Sequence, residues 1–272
     1  MESSERAPAY QVRVLDRAID ILDAFTARRT ELGMREIVEA TGLNRSTAIR
    51  LVANLERRGL LQQDSATGRY RLGHRLFEMG SLVYSSAPLL QAAAGPLAAL
   101  EQRSGATIVL AVRNGDYCVT IDKRQGVGEG FAMVSPPDEV GTVRPLNYGP
   151  IGQVFLAGLP ADEVKRLLDR YPPEQYTPYS ILERDRIVAR LPRVLDEGYA
   201  IEVNEVVEGL MGIAAPIFDS SGQTTGVLSL GLPATRENDT PFLTASIESL
   251  RLAAAEVSAN LGWVKARSEE LE

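Results

Sequence analysis

The stretch from Met34 to Gly59 constrains this chain most, because two helix-forming segments there are separated only by Thr41-Gly42-Leu43-Asn44. A glycine at that point stops the first helix, since a left-handed C-terminal residue costs little only when it has no Cβ. Asn44 then stands where an N-cap belongs, ahead of RSTAIRLVANLERRG, and its side chain can satisfy an open amide of the first turn. Upstream, VRVLDRAIDILDAFTAR (12–28) places Leu15, Ala18, Ile19, Leu22 and Phe25 at helical spacing. This predicts an amphipathic helix buried along that stripe. Downstream, LLQQDSATGRYRL holds two short β-prone runs around a polar loop with Gly68, the pattern of a hairpin. Helix, helix, tight turn, helix, hairpin is the order of a winged helix-turn-helix.

In the third helix Ala48, Leu51, Val52 and Leu55 form one apolar stripe, and the other side carries Arg45, Ser46, Thr47, Arg50, Asn54 and Arg57. The whole chain has a net charge of −7, yet residues 44–75 hold seven arginines (45, 50, 57, 58, 69, 71 and 75) against Glu56 and Asp64. A basic patch inside an acidic protein fits an anion-binding module, and by charge alone a solvated basic face fits equally. The motif order favours double-stranded DNA. A helix enters the major groove when one side packs on its domain and the other offers hydrogen-bonding and cationic groups. Ser46, Thr47 and Arg50 are then placed for base edges, and Arg45 and Asn54 for phosphates. Asn44 and Arg57 complete the set on this helix, with Arg69 and Arg71 of the wing on the backbone or minor groove. One such module buries little surface, so a dimer reading the two half-sites of a palindromic operator is expected.

The 272 residues suffice for a second domain. A helical stretch from His74 to about Ser85, with Leu76, Met79 and Val83 on one side, is interrupted by Pro88. An Ala/Leu-rich helix follows over 89–103. Strands are expected at 106–112 and 117–123 around the turn Asn114-Gly115-Asp116, at 131–135, 200–203, 212–218 and 225–232, with a Pro/Gly-marked loop over 136–149. Helices are expected near 151–158, 160–170, 184–197 and 240–262. Interspersed hairpins and helices indicate an α+β body with a mostly antiparallel sheet.

Several chemistries find no support. Cys118 and His74 are the only residues of their types, which rules out an internal disulfide and the two-histidine metal motifs. No apolar run approaches the 18 residues of a membrane span. The polar start MESSERAPAY lacks the pattern of a signal peptide, so a cytoplasmic protein is expected. The run Gly126-Val127-Gly128-Glu129-Gly130 has no helix after it and does not make a dinucleotide site. Glu202, Glu205 and Glu208 read as a solvated acidic loop, with Glu202 and Glu205 on opposite sides of a strand. Cys118 reads as a buried structural thiol. No cofactor is implied and no enzyme is expected.

VLDRAIDILDAF, REIVEATGLNRSTAIRLVANLERRGLL and GRYRLGHRLFEMGSLV resemble, in order and spacing, the first domain of IclR-family transcriptional regulators. YGPIGQVFLAGLP and VLDEGYAIEVNEVVEGLMGIAAPIFDSSGQTTGVLSLGLP resemble their second domain. The resemblance covers about residues 10–263. It implies a winged helix-turn-helix over 10–73, a helical linker over 74–87 and a GAF-like effector domain over 88–263. It also implies a homodimer or homotetramer, assembled partly through the N-terminal helix. A small metabolite would bind the second domain and turn a catabolic operon up or down, with repression expected. The family motif assigns the effector pocket to Met133, Pro136, Pro150, Ile151, Glu202, Gly212, Ser229 and Gly231. Pro150 has no N–H to offer, and the two glycines stand where polar side chains occur in relatives, which predicts more room. Glu202 repels a carboxylate unless an arginine such as Arg144, or protonation, compensates. These features point to a larger, less acidic effector, aromatic or hydroxylated. Two alternatives remain open: a winged-helix interaction protein without specific DNA binding, and a regulator without an effector.

Overall fold

Gly42 takes φ +64° and its N–H donates to the Val38 carbonyl, ending α2 (Met34–Thr41). Two residues later Asn44 opens α3 (Arg45–Arg57), its side chain accepting from the Thr47 amide at 2.9 Å. The structure, a computed structural model, describes residues 12–26, 29–127 and 136–264, with only the backbone at 84–86. The chain divides into two compact units after Ser86.

In the first unit α1 (Arg13–Asp23) precedes α2 and α3. The hairpin of β1 (Leu61–Gln63) and β2 (Tyr70–Leu72) follows, then α4 (His74–Ser86). Its core joins Ile21 and Phe25 of the first helical segment to Leu32, Ile37, Val52, Leu55 and Leu61. On α3 the stripe is buried as expected at Ala48, Val52 and Leu55, with Leu51 half-buried. The stripe on α1 is rotated from the expected one. Ile21 is fully buried, whereas Leu15 and Ile19 are 59% and 46% exposed. This helix is apolar on two faces, and periodicity alone could not say which face meets the domain. The hairpin gains a rung by backbone hydrogen bonds in both directions between Leu32 and Tyr70. At its base a Cβ on Gly73 would lie 2.1 Å from the Gly59 carbonyl oxygen, so only glycine lets the two backbones approach.

The second unit begins with α5 (Pro88–Ser104) and the hairpin β3 (Thr107–Asn114) and β4 (Tyr117–Arg124). Then come β5 (Val143–Pro145), α6 (Gly149–Ala157), α7 (Ala161–Arg170), α8 (Arg184–Glu197), β6 (Ala200–Val203), β7 (Leu210–Phe218), β8 (Thr224–Pro233) and α9 (Thr240–Asn260). The strands form one sheet in the order β5-β4-β3-β8-β7-β6, antiparallel at every described pairing. Alternation along β7 and β8 decides what each face covers. Met211, Ile213, Ile217, Leu228, Leu230 and Leu232 pack with α5 and α9. Ala214 and Val227 face the cluster built by α6, α7 and α8. β5 falls in the stretch read as a loop; it is a three-residue edge strand ending in proline, too short for a periodic signal. The strand expected at 131–135 lies outside the described residues.

Candidate nucleic-acid interface and effector cavity

On the first unit the N-terminal turn of α3 is exposed at Arg45, Ser46 and Arg50, and half-buried at Thr47. The guanidinium groups of Arg45 and Arg50 make no hydrogen bond or ion pair with any described residue. The other candidates are partly engaged. Asn44 Oδ1 accepts from the Thr47 amide and from Ser46 Oγ at 2.9 Å. Asn54 Nδ2 donates to the Arg50 carbonyl, and Arg57 donates to Asn54 Oδ1 at 3.2 Å. Ile49, which the apolar stripe did not include, is 45% exposed among these polar groups. An apolar side chain in that position suits a thymine methyl.

The wing arginines differ from each other. Arg71 is exposed and reaches only to Gln62 at 3.3 Å. Arg69 turns back onto α2, donating to Glu36 Oε2 at 2.7 Å and to the Glu31 carbonyl at 2.9 Å. The Gly33 amide and Arg69 hold the Glu36 carboxyl below its ordinary pKa. Arg69 therefore fastens the wing to α2, a role that its charge in the sequence does not distinguish from phosphate contact.

On the second unit a cavity of about 40 Å3 opens between the sheet and the start of α6. Small side chains of adjacent strands form its floor: Val109, Ala111, Gly212 and Ser229. Pro136, Pro150, Ile151 and Glu202 complete the expected members at its wall. Ser229 Oγ donates to the Ile213 carbonyl at 2.9 Å, leaving its lone pairs for a ligand. Met133 lies outside the described residues.

The glycines do not enlarge the cavity, contrary to expectation. A Cβ on Gly212 would meet Pro150 Cγ at 2.9 Å, and one on Gly231 would meet Pro136 Cδ at 2.7 Å. Proline rings fill the space that the missing side chains leave, and Gly231 is covered rather than lining. The sequence showed the glycines and the prolines but not that they stack on each other.

Three lining groups were missed or undervalued. Arg144 Nε donates to the buried Asp138 carboxylate at 2.8 Å, and its guanidinium lies 4.7 Å from the Tyr148 ring centre. Tyr148 meets Tyr176 edge-on at 5.0 Å. Burial raises the Tyr148 hydroxyl above its ordinary pKa, with Asp138 adding to the shift. Cys118 also lines the cavity; burial, then Asp138, pushes its thiol up to about 12, so it is an unreactive wall group.

Glu202 corrects the reading of a solvated acidic loop. It is 4% exposed on β6, and its carboxyl has no hydrogen-bond partner among the described residues. Burial, reinforced by Glu205 and Asp138 against the pull of Arg190, raises its carboxyl to about 8. Glu205 is paired instead with Arg190 at 2.8 Å. The carboxyl lies near the first residue of α6, since a Cβ on Gly149 would come within 3.8 Å of Glu202 Oε1. The cavity thus presents a helix N-terminus, a hydroxyl acceptor and a buried carboxyl whose pKa is raised.

Residues 14–65 match the IclR helix-turn-helix domain, and residues 81–259 match the bacterial transcriptional regulator IclR C-terminal domain. The chain belongs to the IclR family of transcriptional regulators. It is 31% identical over 252 residues to the HTH-type transcriptional regulator XynR of Escherichia coli, covering 93% of this chain and 98% of that one. An IclR transcriptional regulator from Alicyclobacillus acidocaldarius superposes with a TM-score of 0.81 at 28% identity, covering 93% and 100% of the two chains. The fold recurs in an IclR homolog from Microbacterium hydrocarbonoxydans solved with 4-hydroxybenzoate, at TM-score 0.79 and 24% identity, covering 91% and 98%. No helix among the described residues of this IclR-family chain is long and apolar enough to cross a membrane.

Proposed function

We propose that this regulator reads an operator through α3 and the wing, as a cytoplasmic dimer or tetramer, and changes its hold on DNA when a small organic molecule fills the α6 cavity. The observation that carries the DNA half is the pair of unengaged, exposed arginines Arg45 and Arg50 on the outer side of a helix whose inner side is core. Arg50 with Ser46 and Thr47 faces base edges, Arg45 and the α3 amides take phosphate, and Arg71 follows the backbone from the wing. Self-association is supported by Val12, Val14, Leu15 and Ile19, all more than 45% exposed, and by Phe77 at 77%. Apolar groups left in water at that density mark a protein contact.

The effector half rests on Pro136, Pro150, Ile151, Glu202, Gly212 and Ser229 around one cavity, with Arg144 and Tyr148 beside them. An oxygen-bearing end suits the α6 N-terminus and Glu202, and Val109, Ala111 and Ile151 offer apolar surface to the body of a ligand, for which the cavity of about 40 Å3 must widen. Among the described residues of the cavity no nucleophile is activated, the Cys118 thiol being held protonated by burial, which favours a binding role over catalysis. Repression of a nearby catabolic operon is the expected output. Footprinting of the full-length protein on the DNA upstream of its own gene, with and without a panel of aliphatic and aromatic acids, tests the reading. Protection of two half-sites, altered by one acid, is expected; protection no better than on random DNA contradicts it.

A further inference from the structure

Around the effector cavity the charges do not balance. Asp138, in the loop before β5, is paired with Arg144 of β5, and Glu205, after β6, is paired with Arg190 of α8. Each pair is neutral. Glu202 on β6 has no ion-pair partner among the described residues. The other titratable groups lining the two cavities beside it are Cys118 of β4, Tyr148, ahead of α6, and Tyr176 and Glu174 in the loop after α7. None of these can neutralise a carboxylate. β7 offers only Gly212 against the Glu202 Cγ, and α6 offers Gly149 and the apolar Pro150. An isolated ionised carboxylate in such a place is costly, and Glu202 has no hydrogen-bond donor among the described residues to offset it.

The same carboxyl lies beside the start of a nine-residue helix. Its N-terminal end favours negative charge, so the cavity attracts an anion from one side while an ionised Glu202 repels it from the other. A single proton on Glu202 removes the conflict and turns the carboxyl from acceptor to donor. A carboxylate ligand then accepts from Glu202 and lies on the α6 amides.

We propose that this regulator takes its effector as a monocarboxylate that shares a proton with Glu202, so that each anion enters together with one proton from solution whenever Glu202 is ionised. The proposal rests on the effector reading above and adds a sign to it. Below the Glu202 titration near pH 8, the proton is already in place and affinity is flat. Above it, affinity falls about tenfold per pH unit. Regulation thereby becomes sensitive to alkaline shifts without any histidine in the cavity.

The test is isothermal titration of the full-length protein with acetate, straight-chain monocarboxylates up to six carbons, benzoate and 4-hydroxybenzoate. It is run at pH 6.5 and pH 9, in two buffers of different ionisation heat at each pH. For the tightest-binding acid, close to one proton taken up per site at pH 9 and close to none at pH 6.5 is expected, with about tenfold weaker binding at pH 9. Glu202→Gln should bind with no proton uptake and with affinity constant within about twofold across the range. If that variant does not give a cooperative melt, the proton count of the unsubstituted protein decides alone. Proton release, tighter binding at pH 9, or proton uptake that persists in Glu202→Gln overturns the proposal. So does the absence of saturable binding by any of these acids in a protein that still protects its operator, which leaves the DNA-binding reading intact.

Discussion

The two units treat charge in opposite ways. In the effector unit most of the described arginines are held by carboxylates, among them Arg113 by Glu163, Arg124 by Glu101, Arg144 by Asp138, Arg166 by Asp116 and Arg190 by Glu205. Of the buried carboxyls described there, Asp138 is paired and Glu202 is left without a partner. On α3 the guanidinium groups of Arg45 and Arg50 have no partner among the described residues, and they are outside. On the proposed reading the missing partner of each group is a ligand: phosphates and bases for the arginines, an organic anion with its proton for the glutamate. A buried or exposed charge that the protein leaves unmatched is thus more informative than the many it matches, because the matched ones have a structural reason to exist.

That contrast can be broken or sharpened at several positions. The largest effect is expected for Arg45→Ala with Arg50→Ala, which should weaken operator binding about a hundredfold or more, roughly 1–3 kcal/mol from the base-reading Arg50 and the rest from the lost phosphate contact of Arg45, as read by fluorescence anisotropy. Folding should be unchanged, since neither side chain is held by the domain. Next is Glu202→Gln. Burial raises the native carboxyl to about 8 while the unfolded one titrates in the ordinary range. The stability it contributes is therefore lost as pH rises from that range through about 8. The variant should melt about 5 °C above the unsubstituted protein at pH 8.5, with the gap closing toward pH 5; a gap that does not change with pH refutes the assignment.

Gly231→Ala should cost about 1–3 kcal/mol in urea unfolding, because its methyl meets the rigid Pro136 ring and overpacking is destabilising. No loss of stability means that the proline does not fill the glycine's space. Asn44→Ala should cost about 1 kcal/mol through the lost cap on Thr47, measured the same way. The smallest effect on DNA is expected for Arg69→Ala, about threefold or less by anisotropy, roughly the 0–1 kcal/mol of an exposed pair. Its charge is already held by Glu36, and a loss as large as that at Arg50 erases the distinction between free and engaged arginines.

Much of this was legible from residue order. The Gly42 turn, the Asn44 cap and the Ala48–Leu55 stripe are local signals, and the structure places them as the sequence reading does. The strands at 200–203, 212–218 and 225–232 are likewise found within two residues of their expected ends. Long-range facts were not legible. Which face of α1 is buried depends on a domain core assembled from residues up to Leu61. The pairing of Arg69 with Glu36 spans 33 positions, and the stacking of Pro136 on Gly231 spans 95. Periodicity and spacing carry no information across such distances. Glu202 was singled out by family resemblance, but its isolation emerged only when its neighbours were seen to be paired with other residues.

The most direct test of the account follows operator affinity against salt for the full-length protein, for Arg45→Ala with Arg50→Ala, and for Arg69→Ala. The account predicts a steep fall in affinity with salt for the unsubstituted protein and for Arg69→Ala. It predicts a weaker, shallower dependence when the two α3 arginines are removed, by about one unit of log–log slope for each arginine that touches a phosphate. Equal slopes and equal affinities in all three proteins contradict it, since α3 is then not the surface that meets DNA.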